Sequence, residues 1–130
     1  PEKLLTLVQQ LDSHQNPDHP IAWDTETTGL DPFTSHLVGI GCTWGEKITE
    51  TAYIPIGHVQ GQQLNLDLVL QSLAPILESD RHPKVLQNAK FDRLIFKHQG
   101  INLAGVVFDT MLASYVTKIS ILPRAEPLLI

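Results

Sequence analysis

The strongest constraint on the fold is the order in which β-rich and helix-forming segments follow one another along the chain. Apolar residues at helical spacing predict amphipathic helices over residues 2–12, 66–77 and 88–98. Runs rich in β-branched and aromatic residues predict strands over residues 21–25, 36–44, 48–56, 84–86 and 106–108. A last helix is predicted from an N-cap at Asp109 and Thr110 through Val116. The order β-β-β-α-β-α-β-α after an initial helix predicts an α/β fold, with a mixed sheet flanked by helices.

Length and composition limit the chain to one globular domain. With 130 residues, of which 42% are hydrophobic and 18% charged, it has room for a single core, and intrinsic disorder is excluded. No apolar run approaches the about 20 residues of a membrane-spanning helix, and no basic, then apolar leader opens the sequence. The cytoplasm is therefore the expected compartment, and no membrane partner is expected.

Charge and cysteine content exclude further classes of protein. The formal net charge of −5 is unlike that of a protein that coats DNA, so a nucleic-acid partner would require cations that reverse the local charge. Lys90, Arg93 and Lys97 share one predicted helix and indicate either a solvated face or contacts to phosphates. The six histidines show no pairing at metal-ligand spacing and are interpreted as surface or loop residues. Cys42 is the only cysteine, which excludes an intramolecular disulfide and predicts a buried small side chain.

Two acidic residues, Asp24 and Glu26, lie two positions apart in the first predicted strand. The period of a strand places both side chains on one face, roughly 6–7 Å apart. Because Ile21 and Trp23 indicate a central strand, two negative charges at its end cost free energy unless cations lie between them. Carboxylate oxygens suit Mg²⁺ or Mn²⁺ better than zinc. The alternative interpretation is that both acids are simply exposed at a strand end.

A second polar cluster lies on the third predicted helix. Asn88, Asp92 and Phe96 follow one another at a spacing of four residues, so an amide and a carboxylate would share one helix face. In the alternative interpretation, Asn88 is only an N-cap, and Asp92 is a solvated residue paired with Arg93 or Lys97.

Taken together, these segments resemble a known enzyme family. Residues 22–32 (AWDTETTGLDP) and 87–93 (QNAKFDR) resemble the first and second motifs of the DEDD-type 3′–5′ exonucleases. Both motifs are most similar in sequence to those of the proofreading domains of bacterial DNA polymerase I. The similarity to these domains extends to residues 38–40 (VGI), 52–56 (AYIPI) and 108–115 (FDTMLASY). We therefore interpret residues 1–116 as an incomplete exonuclease-like domain, and residues 117–130 as a divergent apolar tail interrupted by prolines.

The resemblance implies a ribonuclease H-like fold with a five-stranded mixed sheet, here without its C-terminal helices. It also implies a site for two divalent metal ions, Mg²⁺ or Mn²⁺. By the same resemblance, Asp24 bridges the two ions, Glu26 binds the one that activates water, and Asp92 helps to hold the other through water. These three carboxylates are the expected catalytic residues, and bound cations would also reverse the charge of the pocket.

The implied substrate is the single-stranded 3′ end of DNA. Thr25, Leu30, Asn88 and Phe91 are the expected substrate-binding residues, with Leu30 against the terminal base and Asn88 and Phe91 beside the strand. The alternative for Leu30 and Phe91 is an ordinary place in the core. Asp109 is expected to cap a helix, because it is not one of the metal carboxylates of the family.

The sequence departs from the family at its third motif, a Tyr or His followed four residues later by Asp. Tyr115 is followed at that spacing by Ile119, and the only acid after Asp109 is Glu126. The fourth carboxylate and the residue that orients water are therefore missing from these 130 residues. We expect weakened metal binding and little or no exonuclease activity from this chain alone.

Other functions stay open at this point. A catalytically inactive remnant would act as a nucleic-acid-binding or structural module, and a stand-alone nuclease would act on RNA or small oligonucleotides. The start at Pro1, with Met111 as the only methionine, favours a fragment of a longer chain, which in this family carries a polymerase domain. An in-frame continuation with the third motif and a polymerase domain would favour proofreading.

Overall fold

A computed structural model describes residues 2–113 and shows a five-stranded mixed sheet flanked by helices, which confirms the predicted fold class. The elements are α1 (Glu2–Asp12), β1 (Ile21–Thr27), β2 (Leu37–Thr43), β3 (Thr51–Pro55), α2 (Leu66–Leu77), β4 (Lys84–Leu86), α3 (Ala89–His98) and β5 (Val106–Asp109). Residues 110–113 begin a further helix. The rest of that predicted helix, the third-motif position and the apolar tail lie outside the described residues.

The first strand lies at the centre of the sheet, as Ile21 and Trp23 predict. The strand order is β3-β2-β1-β4-β5. β1 pairs antiparallel with β2 and parallel with β4, while the outer pairs are antiparallel β2 with β3 and parallel β4 with β5. Acidic residues at the end of β1 therefore face neighbours from both halves of the chain.

One hydrophobic core joins the sheet to the helices. Its fully buried side chains come from every layer: Leu11, Ile21, Trp23, Ile40, Val69, Leu73, Ile76, Leu77, Leu86 and Phe96. The apolar stripes of α1 and α2 pack against each other, since residues three and four positions apart lie on one face of a helix. Cys42 is buried, as predicted, and burial raises the pKa of its thiol to about 12.

The prediction of a strand over residues 48–56 is wrong for residues 48–50. Ile48–Glu50 forms a short 3₁₀ helix, and β3 begins only at Thr51. The Glu50 side chain accepts a hydrogen bond from the Lys47 backbone N–H at 3.0 Å, and the Glu50 backbone N–H donates to the Lys47 carbonyl at 2.9 Å. These local bonds outweigh the β propensity of the segment.

The start of α3 also differs from the sequence prediction by one residue. Asn88 has φ 58° and ψ 61°, in the left-handed region that asparagine tolerates better than most residues. The helix therefore begins at Ala89. Asn88 does occupy the N-cap position of the alternative interpretation, but its side chain makes no capping hydrogen bond.

His82 lies in a loop, as the sequence interpretation allows, but not at the surface. His82 is 5% exposed, and its Nε2 lies 3.0 Å from Asp12 Oδ1. This contact connects the end of α1 to the segment before β4.

Among the described residues, no helix has the length and apolar character that a membrane span requires.

Candidate active site

The two acids of β1 lie beside an unusually open part of the sheet. Asp24 is partly buried and Glu26 is exposed. Their partners on β2 are Gly41 and Gly39, which have no side chains to cover the acids. A bulge follows immediately, because the register shifts between Glu26 and Thr27, and bulges often redirect a strand next to active sites. The pairing of both acids with glycines two positions apart agrees with the prediction that the two side chains share one face. The exposure of Glu26 agrees with the alternative interpretation, in which the acids are simply exposed at a strand end.

The third carboxylate reaches β1 because β4 is short. β4 ends at Leu86, level with Trp23, so the space beside the end of β1 is filled by the first turn of α3. There the hydroxyl of Thr25 donates a hydrogen bond to Oδ1 of Asp92. The structure thus connects the second predicted cluster to the first.

Asp92 is not the solvated residue of the alternative interpretation. It is only 3% exposed. Arg93 does not pair with it and instead donates a hydrogen bond to the carbonyl of Leu103 at 2.6 Å. A carboxylate is rarely buried without a partner for its charge, so its burial requires an explanation.

The electrostatics of the site favour a cation. Burial raises the pKa of Asp92 to about 7, the nearby charges of Asp24 and Asp109 add to this shift, and the Thr25 hydrogen bond opposes it. Burial, and then the charge of Glu26, also raise the pKa of Asp24. These carboxyl groups destabilise one another when ionised, and a positive charge between them would relieve that cost.

The donor set fits a hard divalent ion held partly through water. Oδ2 of Asp92 is buried and has no hydrogen-bond partner among the described residues, so it is free to accept from a metal-bound water. Within residues 2–113, no three His, Cys, Asp or Glu side chains converge into a ready-made ligand set. An ion at this site would have to be held partly through water, which suits Mg²⁺ because it usually keeps several waters.

The loop after β1 presents an exposed apolar side chain. Leu30 is 96% exposed, so the alternative that it belongs to the core is wrong. The loop is closed by hydrogen bonds between Thr28 and His36 at 3.0 and 2.9 Å. Its Phe33 ring lies against His98 at the end of α3, with 5.8 Å between ring centroids. Leu30 is thus held on an ordered loop where it can contact a ligand.

The other expected substrate-binding residues are placed differently. Phe91 is partly buried and packs against the core, so the core alternative applies to it at least in part. Asn88, with Lys90 and Arg93, lines a groove of about 540 Å³. The Thr25 hydroxyl is occupied by Asp92, which leaves its role in substrate binding a prediction.

Asp109 caps the N-termini of two α-helices, in agreement with its predicted structural role. Its carboxylate accepts hydrogen bonds from the backbone N–H groups of Asn88 (3.0 Å), Ala89 (2.8 Å), Met111 (2.9 Å) and Leu112 (3.3 Å). Burial alone would raise the pKa of Asp109, but these donors together lower it below the ordinary value. The cap that the Asn88 side chain does not provide for α3 comes from β5.

Sequence reasoning missed a tyrosine and histidine pair on the same face of the sheet. The hydroxyl of Tyr53 hydrogen-bonds Nε2 of His58. Tyr53 and Asp24 both pair with Gly41, so the ring lies on the same face as the acids, and burial, and then the charges of Glu26 and Asp24, raise the pKa of Tyr53. The signal in the sequence is the alternation of Gly39 and Gly41 on β2, which leaves room for a large side chain from the next strand.

Comparison with known protein families gives a match that includes all of the described residues. A family model described as 3′–5′ exonuclease matches residues 1–121. The chain is 55% identical over 116 residues to DNA polymerase I of Synechocystis sp., a match that covers 89% of this chain and 12% of the relative. It therefore spans about an eighth of the length of that relative.

Solved structures show the same fold in other nucleases. Brucella melitensis NrnC with bound Mg²⁺ matches with a TM-score of 0.59 and 27% identity, over 85% of this chain and 49% of that one. Trypanosoma brucei RNase D in complex with RNA U12 matches with a TM-score of 0.67 and 18% identity, over 96% of this chain and 41% of that one. The second likeness shows the fold alone.

Proposed function

Because the chain belongs to the 3′–5′ exonuclease family of DNA polymerase I, we propose that its acidic site hydrolyses the last phosphodiester bond of a single-stranded DNA 3′ end. The observation that carries this proposal is the buried carboxylate of Asp92, which Thr25 connects to the strand of Asp24 and Glu26. Asp24 and Asp92 each have a pKa raised by burial and by the charge of a neighbouring acid, and in a chain of negative net charge such groups are costly to ionise unless they bind cations.

The resemblance to the family suggests a role for each carboxylate, and the burial of Asp92 supports it. Asp24 would hold the divalent ions together with Glu26, which lies near the end of β1. Asp92 would help to hold an ion through water, since its buried Oδ2 has no hydrogen-bond partner among the described residues. When bound, two Mg²⁺ or Mn²⁺ ions supply a hydroxide at neutral pH and stabilise the leaving 3′-oxygen.

Substrate contacts come from the loop after β1 and from the start of α3. Leu30 packs against the terminal base, while Asn88 and Phe91 lie beside the single strand. A site of this kind favours frayed 3′ ends, because a paired end must first be unstacked at a cost of a few kcal/mol. Thr25 contributes by holding Asp92 in place.

The 130-residue chain by itself is proposed to be a weak enzyme or an inactive one. It contains no Tyr-x-x-x-Asp or His-x-x-x-Asp after the second motif, so the fourth carboxylate of the family has no counterpart within it. Its natural setting is proposed to be a longer cytoplasmic polymerase chain that proofreads during DNA replication and repair. The competing function is that of an inactive remnant, which binds nucleic acid or serves as a structural module, and the same missing motif favours it.

Mn²⁺ binding to the intact chain tests the metal site directly. We expect electron paramagnetic resonance at pH 8 to show bound Mn²⁺ in the unmodified chain, and little or none in Asp24→Asn. Asp67→Asn, a change in the first turn of α2, is the matched control and should bind Mn²⁺ as the unmodified chain does. Equal Mn²⁺ binding by all three chains would contradict the site.

Degradation of a 3′-labelled single-stranded DNA in Mg²⁺ tests the proposed impairment. We expect little shortening by this chain. Rapid shortening that Asp24→Ala abolishes would support the metal chemistry and overturn the impairment. Binding of the DNA without Mn²⁺ binding or shortening would favour the remnant.

A further inference from the structure

Tyr53 lies on the sheet face that carries the acidic site. Gly41 pairs with Asp24 on one side and with Tyr53 on the other, and Gly39 pairs with Glu26. Residues paired directly across neighbouring strands point to the same face. The acids and Tyr53 therefore stand on either side of a strip of β2 that has only glycines.

The Tyr53 ring crosses this strip towards Glu26. A Cβ atom added to Gly39 would collide with the hydroxyl end of the ring, so the hydroxyl occupies the place of a side chain at position 39. In an antiparallel pair, opposite Cβ atoms lie about 4.5–5.5 Å apart. Because Gly39 is directly opposite Glu26, the hydroxyl lies within side-chain reach of that carboxylate.

Hydrogen bonds in the loop after β3 hold the Tyr53 hydroxyl in this position. Nε2 of His58 hydrogen-bonds Tyr53, and the two rings lie at a tilt with centroids 5.6 Å apart. The His58 backbone N–H donates to Oε1 of Gln63 at 2.8 Å, and Nε2 of Gln63 donates to the carbonyl of Gln60 at 3.0 Å. Tyr53 is 48% exposed. Packing in the core therefore does not explain why this residue is a tyrosine.

We propose that Tyr53 is a positioning residue that orients the Glu26 carboxylate for divalent-ion binding, with His58 fixing the direction of the hydroxyl. A hydrogen bond donated by Nε2–H of His58 to the tyrosine oxygen leaves the hydroxyl proton free to bond Glu26. This role rests on the proposed function, because it takes Glu26 as a metal ligand. Groups that orient a ligand in this way typically contribute about 10–100-fold to metal affinity.

The test is Mn²⁺ affinity of the intact 130-residue chain, measured by electron paramagnetic resonance at pH 8. Tyr53→Phe keeps the ring over Gly39 and removes only the hydroxyl, so we expect about 10–100-fold weaker binding at an unchanged melting temperature. We expect His58→Ala to weaken binding in the same direction, and His58→Gln to retain more affinity because its amide can donate instead. Thr51→Val is the matched control. It removes a hydroxyl from the same face of β3, where Thr51 bonds Thr43 at 2.9 Å, and should leave Mn²⁺ affinity unchanged.

The outcomes separate this role from the metal site itself. If Asp24→Asn abolishes Mn²⁺ binding while Tyr53→Phe keeps the affinity of the unmodified chain, the role of Tyr53 is overturned and the metal site stands. If Thr51→Val weakens binding as much as Tyr53→Phe, the effect belongs to β3 as a whole and the role is also overturned. No Mn²⁺ binding by the unmodified chain would overturn both proposals.

Discussion

The hydroxyl of Thr25 on β1 donates a hydrogen bond to the carboxylate of Asp92 on α3, across 67 positions of sequence. Both side chains are buried, so the bond is shielded from water and joins the centre of the sheet to a helix. Stability and the geometry of the acidic site therefore depend on the same contact.

Removing that hydroxyl should destabilise the fold. Thr25→Val keeps the shape of the side chain but leaves the buried Asp92 without its donor, which we expect to cost about 1–3 kcal/mol. Urea unfolding at pH 8 in EDTA measures the loss. Thr25→Ser keeps the hydroxyl and should retain more of the stability; an equal loss in both variants would show that packing, rather than the hydrogen bond, is responsible.

Stability without metal should depend on pH through Asp92. Because burial raises its pKa from 3.8 to about 7, the folded protein binds a proton that the unfolded chain has released over this range. The free energy of unfolding in EDTA should therefore fall as pH rises from 3.8 to about 7, at up to about 1.4 kcal/mol per pH unit from this group. Urea unfolding of the unmodified chain and Asp92→Asn at several pH values isolates the effect. Parallel curves for the two chains would refute it.

Divalent ions should reverse this loss above pH 7. An ion that binds only the folded chain stabilises it by about 2.7 kcal/mol at a concentration 100 times its dissociation constant. Thermal unfolding at pH 8 should show a higher melting temperature with Mn²⁺ than with EDTA. Asp24→Asn should lose this shift, and an undiminished shift in that variant would place the ion elsewhere.

The carboxylate of Asp109 should stabilise the protein at neutral pH and lose that effect in acid. Its pKa is lowered, so its contribution is complete above the ordinary value of 3.8 and declines as pH falls through the lower folded-state pKa. Asp109→Ala leaves backbone N–H groups of α3 without an acceptor and should cost about 1–2 kcal/mol at pH 7. Unfolding of this variant and of Asp109→Asn, which keeps one oxygen acceptor, should be compared at pH 7 and in acid. A cost that does not shrink in acid would contradict the capping role.

Leu30 should affect binding and not stability. Because its side chain is 96% exposed, Leu30→Ala should change the free energy of unfolding by less than about 0.5 kcal/mol. Full burial of a leucine side chain against a ligand is worth about 1.5–3 kcal/mol, so binding of a labelled single-stranded oligonucleotide with Mn²⁺ should weaken by about 10- to 150-fold. Fluorescence anisotropy measures this. Leu73→Ala, at a fully buried position, should instead cost about 2–5 kcal/mol of stability.

Elements with a strong apolar period could be predicted from the sequence, because their pattern depends on their own residues. The bounds of α1 and α2 agree with the spacing of their leucines, and α2 continues through Pro75 to Leu77. The shared face of Asp24 and Glu26 follows in the same way from the period of a strand. Contacts made between distant segments could not be predicted.

The burial of Asp92 is an example of such a contact. It depends on the end of β4 and on a hydroxyl 67 positions away, so a solvated aspartate on a charged helix was an equally consistent interpretation. The Tyr53 and His58 pair depends on the register of two strands and on the loop after β3. Ile48–Glu50 departs from its β propensity because side-chain and backbone bonds around Lys47 close a tighter turn.

The strand order β3-β2-β1-β4-β5 has a consequence for the time at which the acidic site forms. β1, β2 and β3 are consecutive in the chain and pair antiparallel, so they can associate through short loops while later residues are still being synthesised. β4 pairs parallel with β1 and requires the crossover through α2 before it can dock. Asp24 and Glu26 are therefore synthesised with the strands they pair with, before Asp92 has been made. The three carboxylates can come together only after the second half of the chain has been made.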